Sequence, residues 1–354
     1  MISMYLSQIA AVIRLEMKKT FFSKRGLWVY LLALAPVAIT TIHSLVELTR
    51  SEQRRAFVAA RPVSSEVLQS IKLGMKTEDV VALAGEPHVR NEVNRRTNRS
   101  DYFQYTDGVD SYTFIFFNDK LDGINRRTRD TIQQDKVIFA SIFQFFFLRL
   151  AIFFGCVGVF TNLFRGELLD RSLHYYLLTP LRREVLVVGK YLAGLIATTV
   201  IFTVSTMLQL WTLSWHFDAA EISEYLSSGG WGHVLAYIGV TIAACVGYGS
   251  VFLAAGLLFK NPIIPAAAVE AWESANLFLP AALKKISIIY YLQSMCPIVA
   301  APDENMNAIL KLMVNAAEPV SVPVAVLGLL AVTAIVLVLA GRLARSLEIN
   351  YSTE

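Results

Sequence analysis

Three ionisable residues stand inside long apolar runs of the sequence: Arg149, with Gln144 five positions before it, and Glu270 and Glu273, three apart with Trp272 between them. A charged side chain at bilayer depth costs about 2.5–3.5 kcal/mol even on insertion scales, so such residues mark a pathway or a specific partner. Glu270 and Glu273 fall on adjoining positions of one helix face. They and Arg149 either line a translocation path or form a pair inside the bundle, Arg149 with Glu270 or Glu273, and the pair is the expectation. His43 and Glu47, one turn apart, read as an outer gate or proton site, or as interfacial residues at a membrane edge. His174, His216 and His233 share no ligand-like spacing, and neither do Cys156, Cys245 and Cys296, so no metal site and no disulfide framework are expected. The polar residues of the apolar runs form no nucleophile and base set, and no catalytic residue is assigned.

The elements that must position these groups are membrane spans. The 354 residues are 55% hydrophobic and only 17% charged, with mean hydropathy +0.50, which excludes one soluble core. Runs of about 20 apolar residues suffice to cross a bilayer, and they fall at 27–48, 137–164, 185–215, 231–259, 263–282 and 321–341, giving six spans. A shorter stretch, 286–300, ends near Pro297 and Pro302 and reads as re-entrant, so that 263–300 forms a fifth span followed by a re-entrant region. Lys and Arg in short flanking segments gather on one face: Arg14, Lys18 and Lys19, Lys24 and Arg25, Arg165, Arg171, Arg182, Arg183 and Lys190, and Lys260, Arg342 and Arg345. That face is read as cytoplasmic and holds both termini, including the tail 342–354, while 50–136 is extracytoplasmic because long connections cross regardless of charge. Within 1–26, Ile9, Val12, Ile13 and Met17 alternate with Arg14, Lys18 and Lys19, as in an amphipathic helix lying in the cytoplasmic interface. No cleavable leader is evident, so the first span is expected to stay in the mature chain.

Between spans 1 and 2 the character changes. Residues 64–130 carry more charge, turn signals and an alternating pattern. Ser64 or Ser65 caps a short helix, Thr77 caps a second that Gly85 and Pro87 end, and Asp107-Gly108 and Asn118-Asp119 mark turns around the alternating Tyr112, Phe114 and Phe116. Two helices followed by a three-stranded antiparallel sheet are expected. The stretch Ile71-Lys72-Leu73-Gly74-Met75-Lys76-Thr77-Glu78-Asp79-Val80, followed by Leu83-Ala84-Gly85-Glu86-Pro87, resembles the SmpA/OmlA (BamE-like) envelope fold, over about 65 residues. That resemblance implies a periplasmic packing or interaction module with a periplasmic or outer-membrane partner, here without the acylated Cys of the lipoproteins.

Residues 165–184, between spans 2 and 3, form a mixed apolar and charged helix stopped at Thr179-Pro180 and rejoined to a span by Arg182 and Arg183. This has the form of a lever that docks on a cytosolic partner. It resembles the coupling segment of type-2 ABC exporter permeases, whose Glu, leucine-rich helix, Pro, basic residue and Gly-Lys are matched by Glu167, Leu173, Leu177, Leu178, Pro180, Arg182, Gly189 and Lys190. Arg171-Ser172 departs from the Gly-Thr often found there. The resemblance extends by pattern over roughly 280 residues and implies contact with an ABC ATPase through Glu167, Leu169, Leu173, Tyr176, Leu177, Leu178, Pro180, Arg182 and Arg183. No Gly-x-x-x-x-Gly-Lys-Ser/Thr run occurs, so the chain has no cofactor of its own and no ATPase activity; ATP and Mg belong to the partner subunit. The whole reads as an α-helical integral membrane protein of the bacterial inner membrane, six transmembrane helices with a small α+β insert. It is expected to act as a homodimer or heterodimer of permeases and to need no nucleic acid. Two other readings stay open: a mechanotransmission or envelope-assembly scaffold that moves its insert without cargo, and an integral-membrane enzyme.

Overall fold

The computed structural model describes residues 2–22, 26–61, 63–95, 98–129, 131–169, 182–259, 261, 263–298 and 319–345. In chain order these form α1 (Ile2–Phe22), α2 (Leu27–Ala60), α3 (Ser65–Ser70), α4 (Thr77–Ala84), β1 (Val89–Arg95), β2 (Asn98–Thr106), β3 (Asp110–Phe117), β4 (Lys120–Thr128) and α5 (Ile132–Ser141). A π-helical stretch, Ile142–Ile152, carries α5 into α6 (Phe153–Leu169). Then follow α7 (Arg183–Leu213), α8 (Ala219–Tyr225), α9 (Trp231–Leu258), α10 (Ile263–Ala275), α11 (Ala281–Lys284), α12 (Ile288–Met295) and α13 (Val322–Arg345). The chain divides into two units: Met1–Thr41 with Lys136–Ser214 and Asp218–Glu354, and Ile42–Asp135 with Trp215–Phe217.

The described residues contain five helices long and apolar enough to cross a membrane: Leu27–Ala60, Ile132–Phe164, Arg183–His216, Ala219–Leu258 and Val322–Ala344. The fifth span expected at 263–282 is absent as a continuous helix among the described residues. α10 stops after 13 residues, about 20 Å at 1.5 Å per residue, short of the roughly 30 Å hydrocarbon core. A 3-10 turn at Asn276–Phe278 follows, then extended Leu279 and Pro280, before the four-residue α11. The apolar run is long enough to span, but Pro280 supplies no backbone N–H to continue a helix. The broken segment is tolerable because its continuation is buried in protein, with Ile288, Ile289 and Leu292 inaccessible.

Small residues let the spanning helices approach closely. A Cβ at Gly256 of α9 would lie 2.8 Å from the Thr161 backbone of α6, and one at Gly249 would run into the Phe160 ring. Phe139, Phe143 and Phe147 form a run of ring contacts that meets Tyr237 of α9, and Phe153 separately packs edge-on against Tyr248. Cys156, Cys245 and Cys296 are free and buried in this packing. Pro36 lies inside α2, and the hydroxyls of Thr40 and Thr41 donate to the carbonyls of that turn, Thr40 to Pro36 and Val37 and Thr41 to Val37.

The second unit holds the insert, with its own core of Leu68, Ile71, Val80, Phe103, Tyr105, Tyr112, Phe114, Phe116 and Leu121. Its sheet has four antiparallel strands in the order β1-β2-β3-β4, not three. The unforeseen strand, Val-Arg-Asn-Glu-Val-Asn-Arg, is polar on both faces and so carries no period-2 apolar signal; it pairs along one edge of β2, Val89 opposite Gln104 and Arg95 opposite Asn98. The hairpin turns fall where the sequence placed them. Gly108 has φ +98° while Asp107 Oδ1 accepts the Val109 and Asp110 amides, and Asn118 and Asp119 take the two left-handed positions of a two-residue turn. Lys76, not Thr77, is the residue before α4, and its amide donates to Asp79 Oδ2 at 3.4 Å.

Candidate functional site

The cluster best placed for function lies at the end of α6 and the start of α7, the helices that bound the 165–184 segment in sequence. Leu173, Tyr176, Leu177, Leu178 and Pro180 lie outside the described residues, and Glu167 and Leu169 are in the last turn of α6. Arg182 and Arg183 are at the start of α7. The Arg182 guanidinium sits over the Tyr5 ring of α1, 5.3 Å from its centroid, and Arg183 Nη1 donates to the Ala344 carbonyl of α13 at 3.3 Å.

Two turns further along α7, Lys190 is completely buried. Its ammonium donates to Glu16 Oε1 of α1 at 2.7 Å and to the Leu163 carbonyl of α6 at 2.7 Å, and lies 5.3 Å from the Phe164 ring centroid. A desolvated lysine survives only with a partner charge and satisfied donors, and both are supplied here from other helices. Gly189 makes the approach geometrically acceptable, since a Cβ there would meet Val12 of α1 at 2.8 Å. Gly194 likewise lets α7 close on Phe160 and Leu163 of α6. The polar stripe of α1 is thus turned inward at Glu16, with Val12 and Glu16 buried one turn apart. Glu16 carried no sequence signal beyond being an isolated acid in a basic, amphipathic segment, four positions after Val12.

Arg149 and Glu273 do come together, but not as a carboxylate–guanidinium pair. Arg149 Nη1 donates to the backbone carbonyl of Glu273 at 3.2 Å, and its Nε and Nη2 make no hydrogen bond. The Glu273 carboxylate, 4% exposed, turns instead to the N-terminus of α12. It accepts the Ile288 amide at 3.0 Å, the Ile289 amide at 2.7 Å and the Ser287 hydroxyl at 2.9 Å, with Tyr248 Oη at 3.4 Å. A helix start presents orphan N–H groups and the positive end of its dipole, so a buried carboxylate is held there more completely than by one guanidinium. Glu270 is not drawn in: its Oε1 accepts from Ser274 of its own helix. In the second unit, Glu47 accepts from Arg127 of β4 at 2.8 Å and pairs with Arg50.

Five helices long and apolar enough to cross a membrane define a multi-pass membrane protein. The family described as ABC-2 family transporter protein matches residues 10–343, nearly the whole chain, and the protein belongs to that family. Comparison with curated proteins and with solved structures found no match. Membership makes this chain a transmembrane permease of an ABC transporter, a membrane subunit whose ATPase resides in a partner.

Proposed function

We propose that the chain is the permease of an ATP-driven exporter in which a separate nucleotide-binding subunit docks on residues 166–182 of a dimer. The observation that carries this reading is the Lys190 node. It ties α7 to α1 and α6, so a displacement passed to the start of α7 moves three helices together instead of bending one loop. With the basic face cytoplasmic, the insert faces the periplasm and acts there as a BamE-like interaction module, in an inner-membrane protein whose termini are cytoplasmic.

The test is copurification from native membrane of the detergent-solubilised protein, wild type against Glu167→Lys and Leu173→Asp. An ATPase that accompanies the wild type and is lost with both variants supports the reading; an ATPase retained by both variants removes the docking segment from it. A second reading, mechanotransmission without cargo, draws on the insert having a hydrophobic core of its own. Deleting residues 64–130 separates the two, because export that persists without the insert favours transport, and loss of partner recruitment alone favours mechanotransmission.

A further inference from the structure

His43 on α2, Asp135 on α5 and His216 in the turn after α7 are 92 and 81 positions apart in sequence, yet the second unit brings their ligand atoms within 4.8 Å of one another. His43 Nε2 lies 3.4 Å from Asp135 Oδ1 and His216 Nε2 lies 3.1 Å from Asp135 Oδ2. Tetrahedral coordination with bonds of about 2.0–2.1 Å sets neighbouring ligand atoms about 3.3 Å apart, and both measured separations fall beside that figure.

The site is buried. Asp135 is 2% exposed, the His216 side chain 5% and the His43 side chain 21%. Asp135 Oδ2 and His216 Nε2 face one another at this short range but are not aligned for a hydrogen bond, and neither has another partner. Two inaccessible polar atoms left in this state call for a further group between them. His216 Nδ1 lies 3.3 Å from Ser44 Oγ. A proton on Nδ1, donated to that hydroxyl, leaves the Nε2 lone pair directed at the cluster, which is the arrangement that orients a metal-ligating imidazole.

We propose that His43, Asp135 and His216 bind one divalent transition cation of the zinc class, with the fourth position open to water. Two imidazoles and one carboxylate suit zinc, cobalt or nickel and are poor in the oxygen donors that calcium and magnesium require. The spacing of histidines along the chain gave no hint of this, because Asp135, at the start of an apolar run, supplies the third ligand and only the tertiary fold assembles the set. The ion would fix His216 relative to His43 and Asp135, with Ser44 as the group that orients His216.

The experiment uses the full-length protein in detergent, stripped with a chelator, dialysed and titrated with zinc against a competing fluorescent chelator. Bound cobalt is read by its visible absorption. One zinc per chain is expected, with cobalt giving the intense visible bands of four-coordinate geometry. His216→Ala and His43→Gln should each weaken binding at least tenfold, Ser44→Ala about tenfold, and His233→Ala, outside the cluster, should leave it unchanged. His43→Gln changes the most exposed ligand and keeps the test decisive where His216→Ala fails to fold. Less than a tenth of an equivalent bound by wild type overturns the proposal, as does unchanged affinity in His43→Gln with a weak, octahedral cobalt spectrum. A wild type that binds no metal, and whose melting temperature changes near neutral pH in a way lost in His43→Gln, assigns the cluster to a proton-linked ion pair instead.

Discussion

Replacing Lys190 by methionine removes the ammonium that lies 2.7 Å from both Glu16 and the Leu163 carbonyl while keeping most of the side-chain volume. Glu16, 3% exposed at its side chain, is then left in a buried site without its lysine. Breaking one side of a buried pair costs about 3–5 kcal/mol, whereas replacing both sides by packed apolar groups is near neutral. At about 2–4 °C per kcal/mol for a large domain, Lys190→Met should lower the melting temperature in detergent by roughly 6 °C or more. Lys190→Met combined with Glu16→Leu should recover most of that loss, giving a coupling of at least about 2 kcal/mol in the double-mutant cycle. The assay is thermal unfolding followed by intrinsic fluorescence at one detergent concentration and one scan rate for all four proteins. A single variant as stable as wild type, or a double variant no better than the single, refutes the assignment of Lys190 and Glu16 as the node that ties α7 to α1.

Glu273→Ala leaves the Ile288 and Ile289 amides without their acceptor and should destabilise more than Glu273→Gln, which keeps one oxygen; Glu270→Gln serves as the neutral control in the same melting assay. Gly256→Ala drives a methyl to 2.8 Å from the Thr161 backbone and should cost about 1–3 kcal/mol, while Gly239→Ala, with no atom within 4 Å, should leave the melting temperature unchanged or raise it. Tyr105, whose hydroxyl donates to the Gly85 carbonyl at 2.8 Å, has its phenol pushed by burial from an ordinary value of 10.0 up to about 12. Its contribution is therefore complete below pH 10 and lost as the pH rises through about 12; Tyr105→Phe should cost about 1 kcal/mol at neutral pH and should flatten the fall in melting temperature between pH 9 and pH 11.5.

Apolar run length located α2, the joined α5–α6, α7, α9 and α13, because helix hydrophobicity is written locally. It failed at 263–282, where hydropathy sums over a segment that Pro280 interrupts. In the insert, Tyr112, Phe114 and Phe116 revealed β3 by their alternation and Asp107-Gly108 its turn, whereas β1, polar on both faces, had no pattern to read. The site residues show the same division. Arg149 and Glu273 stood out as charges among apolar neighbours, but that Glu273 caps α12 through backbone amides depends on where the chain returns after Pro280, and that Glu16 meets Lys190 depends on α1 packing against α7. Pairings over 174 positions, like the meeting of His43, Asp135 and His216, are properties of the tertiary fold.

The most direct measurement of docking at 166–182 is site-directed crosslinking in native membrane vesicles. Single cysteines are introduced by Leu173→Cys in the docking segment and Val109→Cys in the exposed hairpin of the insert, the three native cysteines being buried. The expected result is a crosslink to an ABC ATPase from position 173, altered by ATP, and none from position 109. A crosslink to the ATPase from position 109 with none from 173 would contradict both the docking segment and the sidedness of the chain.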